Sequence, residues 1–494
     1  MATEEEYFAF EDFAKVEEEK ASAVTEEKPL GPCVIYQGRK NYLQHHHEEW
    51  NRAKADDKEK SVFKRKLIQE VRALSARWLR MQNVCILTGA GTSLCAGGLE
   101  GNELAPRTKE LLNLSGGRPS LQLLNQLLSL CDEKNLNFED FLSYLCAIRR
   151  CIEPSKKSFA RPLQVSLSLD GKNTRITIEE LDELIDDIER AVAISCNLLL
   201  ADQPTVEKSA DMRLSAHLVF VGKILSRDPT LGRVKLVTSN YDTLFEQAMD
   251  RLNVYYADGF TGTVDRHFNP ACFGLDYYYP GEVAEGRVRR YDKYLHLYKL
   301  HGSITWRKTR PDTNNPFGLS FSSDPVPSFN KVKENPELFK SVLPKPSASE
   351  QDRLGLGILP TSSKYGETIT MPYAHLFRAF AHALLEPQTV CFVLGYSGWD
   401  EHINRLIEDA LSNPSFTLVV VDPFVSSWVG RLLRSDRCER VYCISGDWGQ
   451  FHKFVDELLP DVEQLKTQME VAKTLRQLQS NVTEEQKIDK RQNG

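Results

Sequence analysis

The sequence lacks the patterns that most directly identify a metal-binding, membrane or nucleic-acid-binding protein. It has 11 cysteines but no CxxC pair, and Cys438 and Cys443, which lie close together, have no second pair nearby. A closed zinc site needs four such ligands in suitable spacing, so no metal is expected. No apolar run reaches the ~18 residues of a membrane helix. The net charge of -7 provides no overall basic excess for nucleic acid, so no direct nucleic-acid binding is evident, although this total leaves room for a local basic patch.

The cysteines and the N-terminal segment favour a reducing, cytoplasmic location. The number of cysteines is odd, and several of them, such as Cys85, Cys391 and Cys443, lie within apolar runs, where a thiol acts as a small buried hydrophobic group. Residues 1–60 form an acidic N-terminal segment that opens MATEEEYFAFEDFAKVEEEK. This opening has neither the basic flank nor the apolar core of a signal peptide.

Six short apolar runs predict the strands of a parallel sheet. They lack the strict alternation of a half-exposed strand, which indicates burial on both faces. Helical patterns such as TLFEQAMDRL and DEHINRLIEDAL lie between them. This alternation predicts an α/β fold with a doubly wound, parallel, Rossmann-like sheet over residues 61–455. The six runs are 84–88, 233–239, 294–300, 389–394, 416–421 and 440–445.

A large helical insertion is predicted at residues 103–225. Leu181, Leu184 and Ile188 repeat at helical spacing, and acidic residues crowd the first turns, where the helix dipole favours them. A polar stretch at 153–175 separates this pattern from the helical residues before it.

Two further segments lie outside the sheet pattern. Residues 308–370 are rich in Pro, Ser, Asn and Asp, which predicts a loop-rich insertion, either a lid or a disordered segment. Residues 456–494 are predicted to contain one more helix, over 461–479, and a polar tail.

Small and polar residues follow the predicted strands at their carboxyl ends. In an open parallel sheet, ligands bind at this edge. The strand ends carry, in chain order, Gly89, Ala90, Gly91, Thr92 and Ser93, then Asn240 and Asp242, then His301, then Gly395, Tyr396, Ser397 and Asp400, and finally Asp422.

Each of these groups also fits a structural role when it is considered alone. A GxG loop after a strand is either a nucleotide loop or a tight turn. Asn240 and Asp242 suit turn or cap positions, and a histidine such as His301 can be an ordinary core or surface residue. The GYSGWD stretch is a strand-to-helix turn with Ser397 or Asp400 as N-cap. The shared position of these groups on one sheet edge favours a functional interpretation.

Taken together, these motifs resemble the sirtuin family. GAGTS at 89–93 resembles the family's first nucleotide loop, and TSNYD at 238–242 resembles its Thr-Gln-Asn-Ile-Asp motif. KLHGS at 299–303 resembles the segment with the catalytic histidine, which falls on His301. VLGYSGWD and VVVDP resemble the late loops that line the ribose and adenine. The resemblance runs in the right order over about residues 80–455, and it implies NAD as the substrate.

The sequence departs from the sirtuin deacylases at several points. It lacks their four-cysteine zinc module, Ser239 replaces the glutamine before the motif asparagine, and LCAGGLEGNELAPR stands where they carry Asp-Phe-Arg. The insertion at 103–225 replaces the small module that helps to bind acyl-lysine peptides. These traits resemble bacterial sirtuin-like effectors of antiphage defence, which hydrolyse NAD. This resemblance implies an NAD⁺ glycohydrolase that depletes NAD⁺. A toxic activity of this kind needs restraint, which we expect from assembly into a homo-oligomer, from the segment 308–370 acting as a lid, or from a partner such as a HerA-type ATPase or another defence component.

The residue types suit this chemistry. The nicotinamide–ribose bond has a cationic leaving group, and its cleavage passes through an oxocarbenium-like state. Asn240 would hold a water molecule or the ribose hydroxyls, and His301 would accept a proton, since histidines ordinarily titrate near pH ~6.5. Asp242 would orient the loop or ribose, and the amides of 89–93 would cradle the pyrophosphate at a helix N-terminus. Two alternatives remain: an NAD-dependent deacylase or ADP-ribosyltransferase, and a regulatory subunit that binds NAD or ADP-ribose without turnover.

Overall fold

A computed structural model gives the fold of the chain. The structure describes residues 34–42, 57–100, 103–116, 119–128, 141–142, 144–145, 165–169, 172–200, 215–280, 289–323, 326–342, 356–358 and 371–461.

A nine-stranded sheet forms the centre of the described chain. Seven consecutive strands run parallel, and a short hairpin adds an antiparallel edge. In spatial order the strands are β2 (Lys40–Asn41), β1 (Val34–Gln37), β16 (Val441–Ser445), β15 (Thr417–Val421), β14 (Thr389–Leu394), β3 (Asn83–Thr88), β6 (Lys235–Thr238), β10 (Tyr294–Lys299) and β7 (Tyr255–Ala257).

The order of the parallel strands defines the position of the ligand-binding edge. Numbered along the chain, β3, β6, β10, β14, β15 and β16 are arranged in space as 3-2-1-4-5-6. This is the strand order of doubly wound dinucleotide-binding sheets. The chain changes direction across the sheet between β3 and β14, which pair in parallel with Cys85 opposite Cys391. In such sheets the ligand crevice lies at this switch point, outside the carboxyl ends of the strands.

Both faces of the sheet are apolar, as the sequence predicts. All six residues of β3 are buried, with Val84 and Ile86 in one hydrophobic layer and Cys85 and Leu87 in the other. Because side chains alternate between the two faces of a strand, a strand buried on both sides shows a continuous apolar run. The predicted doubly wound α/β fold is therefore confirmed.

Helices cover both faces of this sheet. The first layer contains α1 (Asp57–Leu79), α5 (Ala216–Ile224), α6 (Leu244–Arg251) and α12 (Phe451–Lys453), which continues as a π-helical turn over Phe454–Leu458. The second layer contains α9 (Tyr373–Leu385), α10 (Glu401–Ala410) and α11 (Ser427–Arg434).

The helical insertion has a hydrophobic core of its own. Its described elements are α2 (Leu104–Leu114), α3 (Pro119–Leu128), the hairpin β4 (Val165–Leu169) and β5 (Lys172–Ile176), and α4 (Ile178–Cys196). α4 begins with a capping box, in which the Thr177 hydroxyl accepts the Glu180 amide while the Glu180 carboxylate accepts the Thr177 amide. The buried seam of α4 includes Leu181, Leu184 and Ile188, as the helical spacing predicts.

A second, antiparallel sheet lies beside the insertion. Its strands, in spatial order, are β13 (Leu356–Ile358), β11 (Gly302–Lys308), β12 (Leu319–Phe321), β9 (His267–Phe268) and β8 (Phe260–Thr261). Two short helices, α7 (Phe329–Glu334) and α8 (Leu338–Ser341), follow β12. Ile304, Val332 and Phe339 from this region join the hydrophobic cluster of α2, α3 and α4.

The structure differs from the sequence expectation at four places. The acidic segment 1–60 contains the hairpin β1–β2, in which β1 pairs with β16 and so covers the edge that β16 would otherwise expose. The polar stretch 153–175 separates two helical patterns in the sequence, whereas in the structure it contributes the hairpin β4–β5. α5 lies within the predicted insertion but packs on the central sheet. The described part of 308–370 contains regular elements, because apolar residues such as Val332 and Phe339 anchor it to the insertion.

Other expectations are not addressed by the described residues. The predicted helix at 461–479 lies beyond them, apart from its first residue. The domain limits remain predictions. Within the described parts of the chain, no helix is both long and apolar enough to cross a membrane.

Candidate functional site

Two loops meet at the switch point of the central sheet. The Gly89 amide donates to the carbonyl of Leu394 at 3.0 Å, and the Gly91 amide donates to the carbonyl of Gly395 at 2.9 Å. A Cβ atom at Gly91 would lie 2.8 Å from Gly395 Cα, and one at Gly395 would lie 2.7 Å from the Gly91 carbonyl carbon. Gly395 also has a φ of +56°, which side chains disfavour. The crossing of the two loops therefore requires glycine on both sides.

The loop at 89–93 differs from the expected helix N-terminus. Two 3-10 turns, Ala90–Thr92 and Leu94–Ala96, follow β3 in place of an α-helix. The Thr92 amide donates to the Gly89 carbonyl at 3.0 Å and the Ser93 amide to the Ala90 carbonyl at 2.9 Å. These amides are engaged within the protein, so the expected cradle of loop amides at a helix N-terminus is not the geometry observed. Thr92 and Ser93 are buried, whereas Ala90 is exposed.

Asn240 links the end of β6 to this loop. Its Nδ2 lies 3.0 Å from the Gly89 carbonyl oxygen, 3.2 Å from Thr92 Oγ1 and 3.0 Å from Ser93 Oγ. Its own backbone amide donates to Thr238 Oγ1 at 3.1 Å. Because the carboxamide is planar, an Nδ2 directed at the loop turns Oδ1 away from the loop.

The contacts continue from the loop to Asp242. Ser93 Oγ donates to Asp242 Oδ2 at 2.6 Å, so the same hydroxyl oxygen accepts from Asn240. The other carboxylate oxygen, Oδ1, accepts the Leu244 amide at 3.0 Å at the start of α6. Asp242 is only 7% exposed, so these donors stabilise a buried carboxylate. Asn240, Ser93 and Asp242 therefore form one hydrogen-bonded unit.

A buried ion pair contacts this unit through the backbone of Asp242. Lys299 Nζ donates to the backbone carbonyl of Asp242, and it pairs with Glu246 Oε1 at 2.7 Å. Lys299 is 2% exposed, and Glu246 lies in α6, one turn after Asp242. Burial raises the pKa of Glu246, while Lys299 acts in the opposite direction. No pattern in the sequence indicates this pair, although Lys299 is the first residue of the KLHGS motif.

His301 follows β10 at the same sheet edge. β10 pairs with β6 so that Lys299 lies opposite Thr238, which places His301 and Asn240 each two residues beyond a paired position. His301 is 2% exposed. Its ring centroid lies 6.1 Å from that of His402 at the start of α10. One ligand atom each from His301, Asp400 and His402 lie within 4.8 Å of one another.

The residues of the late loops have different environments. Tyr396 points inward: it is 4% exposed, its ring packs against Trp428, and its hydroxyl contacts the backbone of Asp400. It shapes the loop from within, whereas Ser397 is exposed. Asp422 follows β15, its Oδ1 accepts the Phe424 amide at 2.9 Å, and burial raises its pKa to about 6.

The segment that replaces the deacylases' Asp-Phe-Arg leads into the insertion. Its arginine, Arg107, lies in α2 with its guanidinium carbon 3.8 Å from the centre of the Phe329 ring. It also pairs with Glu110 at 3.5 Å. Arg107 therefore joins α2 to the second sheet region.

The site combines groups that suit cleavage of a glycosidic bond. The buried carboxylate of Asp242, the oriented carboxamide of Asn240 and the ring of His301 follow the adjacent strands β6 and β10. They lie at the same sheet edge as the loop of residues 89–93 (the glycine loop) at the switch point. Such groups can orient hydroxyls or water and accept a proton.

Comparison with known proteins finds a similarity over part of the chain. Residues 234–339 match the family model described as a SIR2-like domain. The matched segment contains Asn240, Asp242 and His301, whereas the Gly89 and Gly395 loops lie outside it and meet it through the sheet.

Other comparisons are more distant. No curated protein matches the chain. Solved structures include a histidine-to-asparagine mutant of a Sir2 homologue with ADP-ribose, at 14% identity over 81% of this chain and 97% of that chain, with a TM-score of 0.37. A Sir2 homologue complex with NAD has 14% identity over 80% and 93% of the two chains, also with a TM-score of 0.37. The strand order 3-2-1-4-5-6 identifies the doubly wound fold without these structures.

Proposed function

We propose that this chain is a sirtuin-like NAD⁺ glycohydrolase that cleaves NAD⁺ to nicotinamide and ADP-ribose. The observation that carries the proposal is the unit formed by Asn240, Ser93 and Asp242, which lies at the switch point of the sheet within hydrogen-bonding distance of the glycine loop. The SIR2-like match over residues 234–339 supports it.

The proposed reaction uses water as the nucleophile. The bond between ribose C1′ and the nicotinamide nitrogen breaks, and its electron pair remains on nicotinamide. Water adds to C1′, and His301 accepts the proton that the water loses and releases it to solvent. Asn240 holds the water or the ribose hydroxyls through its side-chain oxygen, while Asp242 keeps Ser93 and the loop in place. The glycine loop and the loop at Gly395 receive the remainder of the dinucleotide.

We propose hydrolysis rather than deacylation because the chain differs from the deacylases in two features. The four-cysteine zinc module of the deacylases is missing from the sequence, and 103–225 includes a separate helical core, which packs against the second sheet. We further propose that the protein acts in the cytoplasm as an antiphage effector that depletes NAD⁺. Its restraint would come from a homo-oligomer or from a partner such as a HerA-type ATPase.

The test is a product analysis of the purified full-length chain with NAD⁺, in the presence and absence of an acyl-lysine peptide. We expect nicotinamide and ADP-ribose in equal amounts without the peptide, and loss of both products in His301→Ala. His382→Gln is a matched control, because His382 is 83% exposed on α9 and lies outside the proposed site.

The other activities would give different results. Nicotinamide release that strictly requires the peptide would indicate a deacylase. Labelling of a protein acceptor would indicate an ADP-ribosyltransferase. NAD⁺ or ADP-ribose binding without any product, in every assembly state tested, would indicate a regulatory binding subunit.

A further inference from the structure

The side chains of His301, Asp400 and His402 form a cluster of three potential metal ligands, of which the proposed reaction uses only His301. His301 lies in the turn between β10 and β11, while Asp400 and His402 lie at the start of α10. The ring planes of the two histidines are inclined by 50°, with their centroids 6.1 Å apart. The candidate ligand atoms of the three residues lie within 4.8 Å of one another. Residues about 100 positions apart in the sequence therefore meet at one point.

The loop backbone, rather than the Asp400 side chain, caps α10. Asp400 occupies the N-cap position, but its side chain makes no capping hydrogen bond. The Asp400 carbonyl accepts the amides of Ile403 and Asn404, both at 3.0 Å, and its amide donates to the Tyr396 hydroxyl at 3.2 Å. The backbone is thus held from several sides, and the carboxylate lies beside the histidines.

The two histidines of the cluster pack against neighbouring parts of the protein. His301 is buried, and the His402 ring packs against Phe377 with the centroids 5.1 Å apart. Two imidazoles and a carboxylate are the ligand types that zinc prefers, with bonds of about 2.0–2.2 Å. A tetrahedral site with such bonds places its ligand atoms about 3.4 Å apart. The candidate ligand atoms lie within 4.8 Å of one another, so the three side chains would come closer together when they bind an ion.

We propose that His301, Asp400 and His402 bind a divalent transition metal ion of the zinc type, and that the bound ion inhibits the enzyme. The cleavage chemistry proposed above needs no metal, because the leaving group is already cationic. A metal ion on His301 occupies the nitrogen that would accept the proton from water. The binding statement stands on the cluster alone, whereas the inhibition statement rests on the proposed function.

Metal binding is tested first, without reference to activity. The metal-free full-length protein is titrated with Co²⁺, and the visible absorption of the bound ion is recorded together with the metal content after gel filtration. We expect about one ion per chain in the wild type. Removal of a ligand should weaken binding at least ~10-fold, since even outer partners of metal ligands matter that much. His402→Gln and Asp400→Asn test this, and His382→Gln is the matched control.

Inhibition is tested separately by titrating Zn²⁺ into the NAD⁺ cleavage assay. We expect the wild type and His382→Gln to lose activity with the same midpoint. His402→Gln should keep its metal-free activity and need at least ~10-fold more zinc. Melting curves of each variant show whether it is folded.

The outcomes are distinguishable. Equal Co²⁺ binding by the wild type and by folded His402→Gln and Asp400→Asn would overturn the site. Binding that depends on these residues, with no effect of zinc on turnover, would overturn the inhibition. If no preparation cleaves NAD⁺, the proposed function fails, while the Co²⁺ titration still decides the metal site.

Discussion

Replacement of Asn240 by alanine would test whether this residue acts on the substrate or only holds the glycine loop. The substitution removes an Nδ2 group that lies 3.0–3.2 Å from three oxygens of the loop. The group has two hydrogens, so about two full hydrogen bonds are lost. At ~0.5–1.5 kcal/mol each, the free energy of unfolding should fall by about 1–3 kcal/mol. A role on the substrate should lower turnover by about 10²-fold or more, which corresponds to ~2.7 kcal/mol.

Because these two magnitudes are similar, stability and turnover must be measured on the same preparations. Ser93→Ala separates the two effects: it removes one oxygen that Asn240 contacts and the donor to Asp242 Oδ2, but it leaves the carboxamide in place. We expect Ser93→Ala to lower stability about as much as Asn240→Ala, while turnover per folded molecule falls by only about tenfold.

The comparison can refute the assignment of Asn240 in two ways. Equal losses of turnover in Ser93→Ala and Asn240→Ala, at equal stability, would show that loop position alone explains the effect. Near-wild-type turnover in folded Asn240→Ala would remove Asn240 from the catalytic set.

The double variant of Asn240→Ala and His301→Ala tests whether the two residues act together. We expect its loss of turnover to be much smaller than the product of the two single losses, because both residues serve one transition state.

Further predictions concern buried charges. Lys299→Met leaves Glu246 buried without its partner, and we expect a loss of about 3–5 kcal/mol in urea unfolding, with partial recovery in the double variant with Glu246→Leu. Burial raises the pKa of Asp422 to about 6. The stability that this carboxyl group contributes is therefore full below about pH 4 and falls by about 3 kcal/mol as the pH rises to about 6. Asp422→Asn should remove this fall in stability. Burial lowers the pKa of His217 and of His296 to about 4, so their contribution is full above about pH 6.5 and is lost as the pH falls to about 4. Melting temperatures against pH should show the acid loss diminish in folded His296→Gln, and an unchanged pH profile would contradict this account.

The central sheet could be predicted from the sequence because its signal is local. A strand that is buried on both faces needs a continuous apolar run, and the run before Gly89 has this form in the sequence. The edge hairpin at 34–41 has a less distinctive pattern, because only its pairing with β16 makes it part of the sheet. The two-residue and three-residue strands depend in the same way on distant partners. Pairing between distant segments is decided by the tertiary structure, which a local pattern does not show.

The candidate site was predictable to a different degree at each residue. The polar strand ends could be identified because a parallel sheet brings all its carboxyl ends to one edge. The sequence did not show the reason for the glycines: Gly91 and Gly395 are needed for two backbones to cross, whether or not a nucleotide binds there. Nor did it show that Asn240 donates to the loop, since Asn240 was equally compatible with a cap of the following helix. In the structure the Asp242 carboxylate accepts the Leu244 amide, which leaves the Asn240 side chain to reach the loop after β3.

Lys299 and His402 have no distinctive pattern in the sequence. Each acquires a role only from a partner on another element, which is Glu246 for Lys299 and His301 for His402. A motif therefore indicated which strand ends to examine, while the hydrogen bonds and ion pairs between those ends suggest what each residue does there.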